Sequence, residues 1–277
     1  MAVSISKPST FDYLLMALTA IMWASAFIAM KVVVPETGPL WLATGRVIVG
    51  FLVLLPYAIY RGFKWPSSPN MWALVFITSL FNVVIPFFLI SWGELQVDAG
   101  IASLLMGISP FLALVGSHFS TSDDRMTLPK ILAVVLGFSG VLTIVGVDAL
   151  SGLGQETLVA QMAIMGAAVS YVIAGLLVRK IDLDPVSMVC WMLGVGAVML
   201  TTLTVSLQGW SINVISPLAF WSLVYLGVVP TGIAQIIRFM LIKKIGFAVF
   251  SLSVNLVPVF GISLGAMLLG EVISART

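Results

Sequence analysis

Residues 98–123, DAGIASLLMGISPFLALVGSHFSTSD, and residues 246–271, GFAVFSLSVNLVPVFGISLGAMLLGE, follow one plan. Each begins as an apolar run, carries a proline about twelve residues in, turns to Gly and Ala in its second half, and ends on an acid. At an offset of 148 residues Pro110 meets Pro258 and Asp123 meets Glu271, and the same offset sets Trp72 on Phe220, Leu95 on Lys243 and Ala99 on Phe247. At an offset of 146, Ala24 meets Ser170, Pro39 meets Pro185 and Gly50 meets Gly196. Single matches of this kind recur by chance in apolar chains. Their order and near-constant spacing read as an internal repeat.

The surrounding sequence is of the same character. Apolar runs near 13–34, 40–60, 71–91, 98–119, 128–147, 158–179, 186–206, 218–241 and 246–269 make nine spans. Each is about 20 residues, enough to cross a hydrocarbon core of about 30 Å at about 1.5 Å per residue. Across all 277 residues, 60% are hydrophobic and 9% charged, against roughly 45–50% and 25% in a soluble domain. The chain reads as an all-α, polytopic membrane protein. A β-barrel would alternate apolar and polar residues over about ten positions, whereas Leu104 to Leu114 and Val254 to Leu269 are nearly unbroken. The breaks carry turn residues: Pro35, Gly38 and Pro39 after the first span, Pro66 to Asn70 after the second. Lys7 ahead of an apolar segment imitates a signal peptide, but no small-x-small cleavage site follows, so 13–34 is a retained helix.

Charge sets the expected orientation. With the N-terminus in the cytoplasm, the inner segments hold Lys7, Arg61, Lys64, Arg125, Lys130, Arg179, Lys180, Lys243 and Lys244, nine of the thirteen basic residues. The outer side holds Lys31 and Arg276, while Arg46 and Arg238 lie inside spans. That is a positive-inside pattern. A five-span unit at residues 1–147, followed by a copy at 148–277, puts an odd number of crossings in each half, so the second enters the membrane upside down. The second half shows four spans. A tenth helix after Thr277 is expected, to complete it and return the C-terminus to the cytoplasm.

Several functions are excluded. A formal net charge of +2 offers no basic surface for nucleic acid. The lone Cys190 permits no intrachain disulfide, and one histidine supplies too few ligands for an ordinary zinc site. No HExxH, GxSxG or phosphate-binding glycine loop occurs, so neither an enzyme, nor ATP use, nor a bound cofactor is expected. No Asp or Glu stands at the middle of a span, which weighs against a carboxylate relay.

The polar residues within spans are the candidates for a substrate path. Arg238 is foremost, since a mid-helix arginine costs roughly 2.5–3.5 kcal/mol to insert and must either snorkel or face a polar path. Gln235 lies one turn earlier on the same helix face. Arg46 suits either a structural pairing or the path. Trp23, Asn82, Tyr171 and Asn255 could bond or stack on a substrate, and Trp23 and Tyr171 occupy corresponding helices of the two halves. Pro86, Pro110, Pro230 and Pro258 interrupt helical bonding inside four spans and read as hinges or kinks.

With the opening TAIMWASAFIAMK at 19–31, the Gly-Pro entry at 38–39, SPFLALVG at 109–116 and VPVFGISLGAMLLGE at 257–271, the chain resembles the EamA-type group of the drug/metabolite transporter superfamily, and is similar to its bacterial aromatic amino-acid exporter branch. Glu271 fits the family's Gly-Glu ending; Asp123 after Ser122 fits it more loosely. The resemblance implies ten helices in two inverted five-helix repeats and cytoplasmic termini in the inner membrane. It further implies an alternating-access path lined by Trp23, Asn82, Tyr171, Gln235 and Arg238. The expected activity is export of amino acids, aromatic or neutral, and related metabolites by a monomer that contacts only its substrate and lipid. A multidrug or other metabolite carrier, or a non-transporting scaffold, is the alternative.

Overall fold

The computed structural model describes residues 5–93, 95–97, 102, 105–145, 158–210 and 214–269. Among them, five helices are long and apolar enough to cross a membrane. The first, α1 (Thr10–Tyr60), starts at a capping box in which the Ser9 side chain accepts from the Asp12 N–H and the Asp12 side chain accepts from the Ser9 N–H. It is two arms, not one rod. The Nη1 of Arg46 lies 3.4 Å from Met30 Sδ, whereas sixteen residues of straight helix would separate them by about 24 Å. The reversal sits at Gly38, whose φ of 73° and ψ of 166° suit a residue without Cβ.

Helix α2 (Pro69–Gly93) begins with Pro69 in its first turn and the Ser68 side chain accepting from the Met71 N–H. It widens into a π-helical turn at Leu80–Val84 before continuing over Ile85–Gly93. Pro86 explains why the turn is awkward. In i→i+5 bonding the Phe81 carbonyl would look to residue 86, which has no N–H. The Ser170 hydroxyl donates to that carbonyl instead, at 2.9 Å.

Helices α3 (Ser109–Ser120), α4 (Leu128–Val145), α5 (Leu158–Val178) and α6 (Pro185–Gln208) follow. Helix α7 (Pro217–Ile245) repeats the design of α2: a proline in the first turn, the Ser216 side chain accepting from the Ala219 N–H, and a π turn at Gly227–Ile233 around Pro230. It stops at Gly246, where φ is 87°. The last run, α8, consists of Phe247–Ser251, a 3-10 turn at Leu252–Asn255, and Leu256–Leu269.

The arms of α1 pack against α6, α7 and α8, and α2 against α5. Close approach depends on glycine where α1 meets the π turn of α7. A Cβ on Gly227 would stand 2.6 Å from Val49 Cβ, and one on Gly50 would stand 2.9 Å from the Gly227 carbonyl oxygen. Large apolar side chains such as Leu132, Val135 and Leu136 of α4 and Val159 and Met162 of α5 are exposed, as suits a surface in contact with lipid.

The expected spans need three corrections. Pro35 and Pro39 do not separate helices; both lie within helical stretches and the break is confined to Gly38. The span at 98–119 is not one continuous helix, because a turn at Gly107–Ile108 precedes α3. Pro110 is therefore no mid-helix kink. It sits in the first turn of α3, where a missing N–H costs no helical bond, and Pro258 likewise follows the 3-10 turn as the third residue of Leu256–Leu269. Residues 98–101, 146–157 and 270–277, with Asp98, Asp148, Glu156, Glu271 and the expected tenth helix, lie outside the described residues, as does Glu94.

Candidate functional site: an aromatic cavity with two arginines

A cavity of about 910 Å³, counting its open mouth, lies between α1, α2, α3, α5, α7 and α8. Its wall is mostly apolar, with Trp23, Phe27 and Met30 from α1, Phe87 and Ile90 from α2, Tyr171 from α5, and Phe247 and Phe250 from α8. Trp23 meets Phe250 edge to face at 6.0 Å, an arrangement aromatic quadrupoles favour. Two cations enter this wall: Arg46 and Arg238.

Arg238 is 3% exposed and held from three sides. Its Nη1 donates to Asn82 Oδ1 at 2.5 Å and to Gln235 Oε1 at 3.2 Å, and its Nη2 donates to the Tyr171 carbonyl at 3.2 Å. The guanidinium carbon lies 5.2 Å from the centre of the Tyr171 ring. All of these partners are neutral. Three of the five N–H groups of a guanidinium are thereby used, and two have no bond to any described residue. Desolvating such a cation is costly, and neutral acceptors with a ring face offset only part of that cost.

Arg46 projects from the second arm of α1. Its Nε donates to Thr231 Oγ1 in the π turn of α7 at 2.9 Å, and its guanidinium carbon lies 4.2 Å from the centre of the Phe87 ring. Thr231 directly follows Pro230, so the widened turn that proline imposes also carries the acceptor for the arginine.

Of the residues singled out from sequence, Trp23, Tyr171, Gln235, Arg46, Arg238 and Pro230 line the cavity. Asn82 is buried behind it in the π turn of α2 and reaches the site only through Arg238. Asn255 is not in the wall. It faces α4, where a Cβ on Gly137 would stand 2.3 Å from its Nδ2, and neither of its amide atoms has a partner among the described residues. Pro86, Pro110 and Pro258 are absent from the lining but each adjoins a residue in it, namely Phe87, Ser109 and Val257. Sequence reasoning passed over Phe27, Met30, Phe87, Phe247 and Phe250, whose types do not distinguish wall from core. It also passed over Ser109, a buried lining residue whose hydroxyl has no partner among the described residues.

One end of the bundle is tied by ion pairs. Lys244 Nζ lies 2.7 Å from Asp12 Oδ1, Arg179 makes a two-pronged pair with Asp123, and Lys130 meets the buried Asp124 at 2.7 Å. Asp124 Oδ2 also accepts from the Ala248 N–H at the start of α8. The Lys244 ammonium, and then the Ser9 N–H, lower the Asp12 carboxyl to a pKa of about 2. The Arg179 guanidinium holds Asp123 below the usual carboxylate range. At the other end Glu36 accepts from the Ser216 N–H and hydroxyl at 2.6 and 2.7 Å.

The model of the EamA-like transporter family matches the sequence twice, over residues 10–146 and residues 158–277. A transporter of Bacillus subtilis (strain 168), the uncharacterized YoaV, is 27% identical over 256 residues, covering 92% of this chain and 87% of that protein. A probable terminal-alkyne amino-acid exporter of Streptantibioticus cattleyicolor is 28% identical over 263 residues, 93% of this chain and 85% of that protein. Among solved structures, one crystal structure shares the fold with a TM-score of 0.78 at 18% identity, covering 98% of this chain and 92% of that chain.

Proposed function

The chain belongs to the EamA-like transporter family, and from that premise we propose that it exports amino acids and related small metabolites. It is a multi-pass membrane protein and a secondary transporter, not an enzyme. The observation that carries the substrate reading is the pairing of Arg46 and Arg238 in one aromatic wall. A carboxylate can complete the bonding of Arg238 while the apolar body of the substrate rests on Trp23, Phe27 and Phe250. The Streptantibioticus relative, a probable terminal-alkyne amino-acid exporter, points the same way. An organic cation would instead call for a carboxylate in the wall, and none is present among the described lining residues.

The transport cycle is alternating access between two inverted repeats, 1–147 and 148–277, with ten helices in the complete bundle. Two features support this: the double family match, and the π turns at Leu80–Val84 and Gly227–Ile233, which fall about 148 residues apart. The same reading places a monomer in the bacterial inner membrane with a cytoplasmic N-terminus, near the aromatic amino-acid exporter branch. Pro86 and Pro230 provide its pliable turns.

The test is flux of radiolabelled amino acids into proteoliposomes, with and without a proton gradient. Saturable uptake of neutral or aromatic amino acids that falls at least tenfold in Arg238→Ala supports the proposal. Uptake confined to a quaternary-ammonium dye would overturn it.

A further inference from the structure

We infer that the cavity favours substrates of net negative charge, carboxylates with an aromatic or apolar body whose amino group is absent or acylated, over free zwitterionic amino acids. This rests on the carrier reading above and narrows its substrate class.

The charged side chains among the described lining residues are of one sign. Arg46 and Arg238 line the cavity, and no acidic side chain does among the described lining residues. The described acids lie elsewhere: Asp12, Asp123 and Asp124 in the ion pairs at one end, Glu36 on Ser216, and Asp184 capping α6, with the exposed Asp182 two residues before it. A carboxylate bound at Arg238 would hold an α-ammonium group within a few ångströms of that guanidinium. In a site shielded from water such like-charge proximity is unfavourable and poorly screened.

Hydrogen-bond supply agrees with charge. An ammonium group brings three donors and needs acceptors. Gln235 Oε1 already accepts from Arg238, and the Ser251 hydroxyl is turned to the Ala248 carbonyl. Ser109, which is 5% exposed and lines the cavity, has no bond to its hydroxyl from any described residue. A hydroxyl can donate as well as accept, so Ser109 suits the carbonyl of a 2-oxo acid or of an N-acyl group. That oxygen replaces three donors with one acceptor, in a wall whose two charged side chains are donors only.

The experiment is counterflow in proteoliposomes with four probes of one body: phenylpyruvate, N-acetylphenylalanine, phenylalanine and phenylalanine amide. Binding of the same probes is read in parallel as a shift in melting temperature of the purified protein. The expected result is half-saturation at least tenfold lower for the first two than for phenylalanine, with the amide neither carried nor bound. Ser109→Ala should weaken the first two several-fold more than it weakens phenylalanine, and Ser109→Asp should reverse the order. If phenylalanine is carried as well as or better than its acetylated form, the inference falls and the carrier reading stands. If no probe is carried or bound, both fall.

Discussion

Asn82 and Arg238, 156 positions apart in the chain, meet through a side-chain hydrogen bond in the interior of the bundle. Asn82 belongs to the π turn of α2, and Arg238 follows the π turn of α7 by about one helical turn. The contact therefore ties the widened turn of α2 to α7 just beyond its own widened turn. Changing Asn82→Asp places a carboxylate on the arginine and competes with any substrate carboxylate. Flux should fall at least tenfold while the melting temperature holds or rises. Asn82→Ala instead leaves the buried cation short of an acceptor, at a cost of about 1.5–3 kcal/mol. Thermal melts in detergent run beside flux assays separate the two effects.

Acid should loosen the ion-paired end. The Asp12 carboxyl is lowered from 3.8 to about 2, first by the Lys244 ammonium and then by the Ser9 N–H. A depressed carboxylate pKa contributes stability that is fully present above the unfolded value and is lost as pH falls through the folded one. The melting-temperature difference between wild type and Asp12→Asn should thus be constant from pH 7 to about 4.5 and shrink as pH approaches about 2. A difference that instead grows on acidification would contradict this assignment.

Much of the bundle was legible before the structure because lipid demands it. A run of about 20 apolar residues has few alternatives to a membrane helix, and the nine expected runs recur as the two arms of α1 and as α2 to α8, with only the second half of the fourth described as α3. Arg46 and Arg238 were legible for the converse reason, since a cation in an apolar run needs a partner. The identity of those partners was not. Thr231 and Asn82 are brought to the arginines by π turns, whose extra residue leaves no mark in hydropathy. The phenylalanines of the wall share their residue type with those of the core and the lipid face. Asn255 shows the opposite failure: a polar residue in a span that turns away from the cavity toward Gly137.

Glycine at the α1–α7 crossing should be intolerant of side chains. Gly227→Val must displace Val49 and the Arg46 carbonyl, which a Cβ would approach to 2.6 and 2.8 Å. Overpacking of this kind costs about 1–3 kcal/mol. Gly140→Ala, where nothing lies within 4 Å, serves as the control and should melt no lower than the wild type, since alanine favours the helix.

Ser170→Ala removes the donor that satisfies the Phe81 carbonyl upstream of Pro86. The expected loss is about 1 kcal/mol, in keeping with interhelical bonds in membrane bundles, and faster hydrogen exchange should be confined to the amides around 80–86. Cysteine at the same position should recover little of it, because a thiol donates weakly.

The contacts of Arg46 also impose an order on biogenesis. Met30 lies upstream of it, Phe87 follows in the next hairpin, and Thr231 is 185 residues further on. At about 5–20 residues per second, a ribosome needs roughly 10 to 40 s to synthesise that stretch. During this interval the first hairpin must hold a cation in or near the bilayer before Thr231 exists to accept from it, with Met30 and later Phe87 among its neighbours. Met30 and Phe87 thus act as interim hosts for the charge, and replacing both with alanine should lower the yield of inserted protein more than it lowers the stability of the protein that matures.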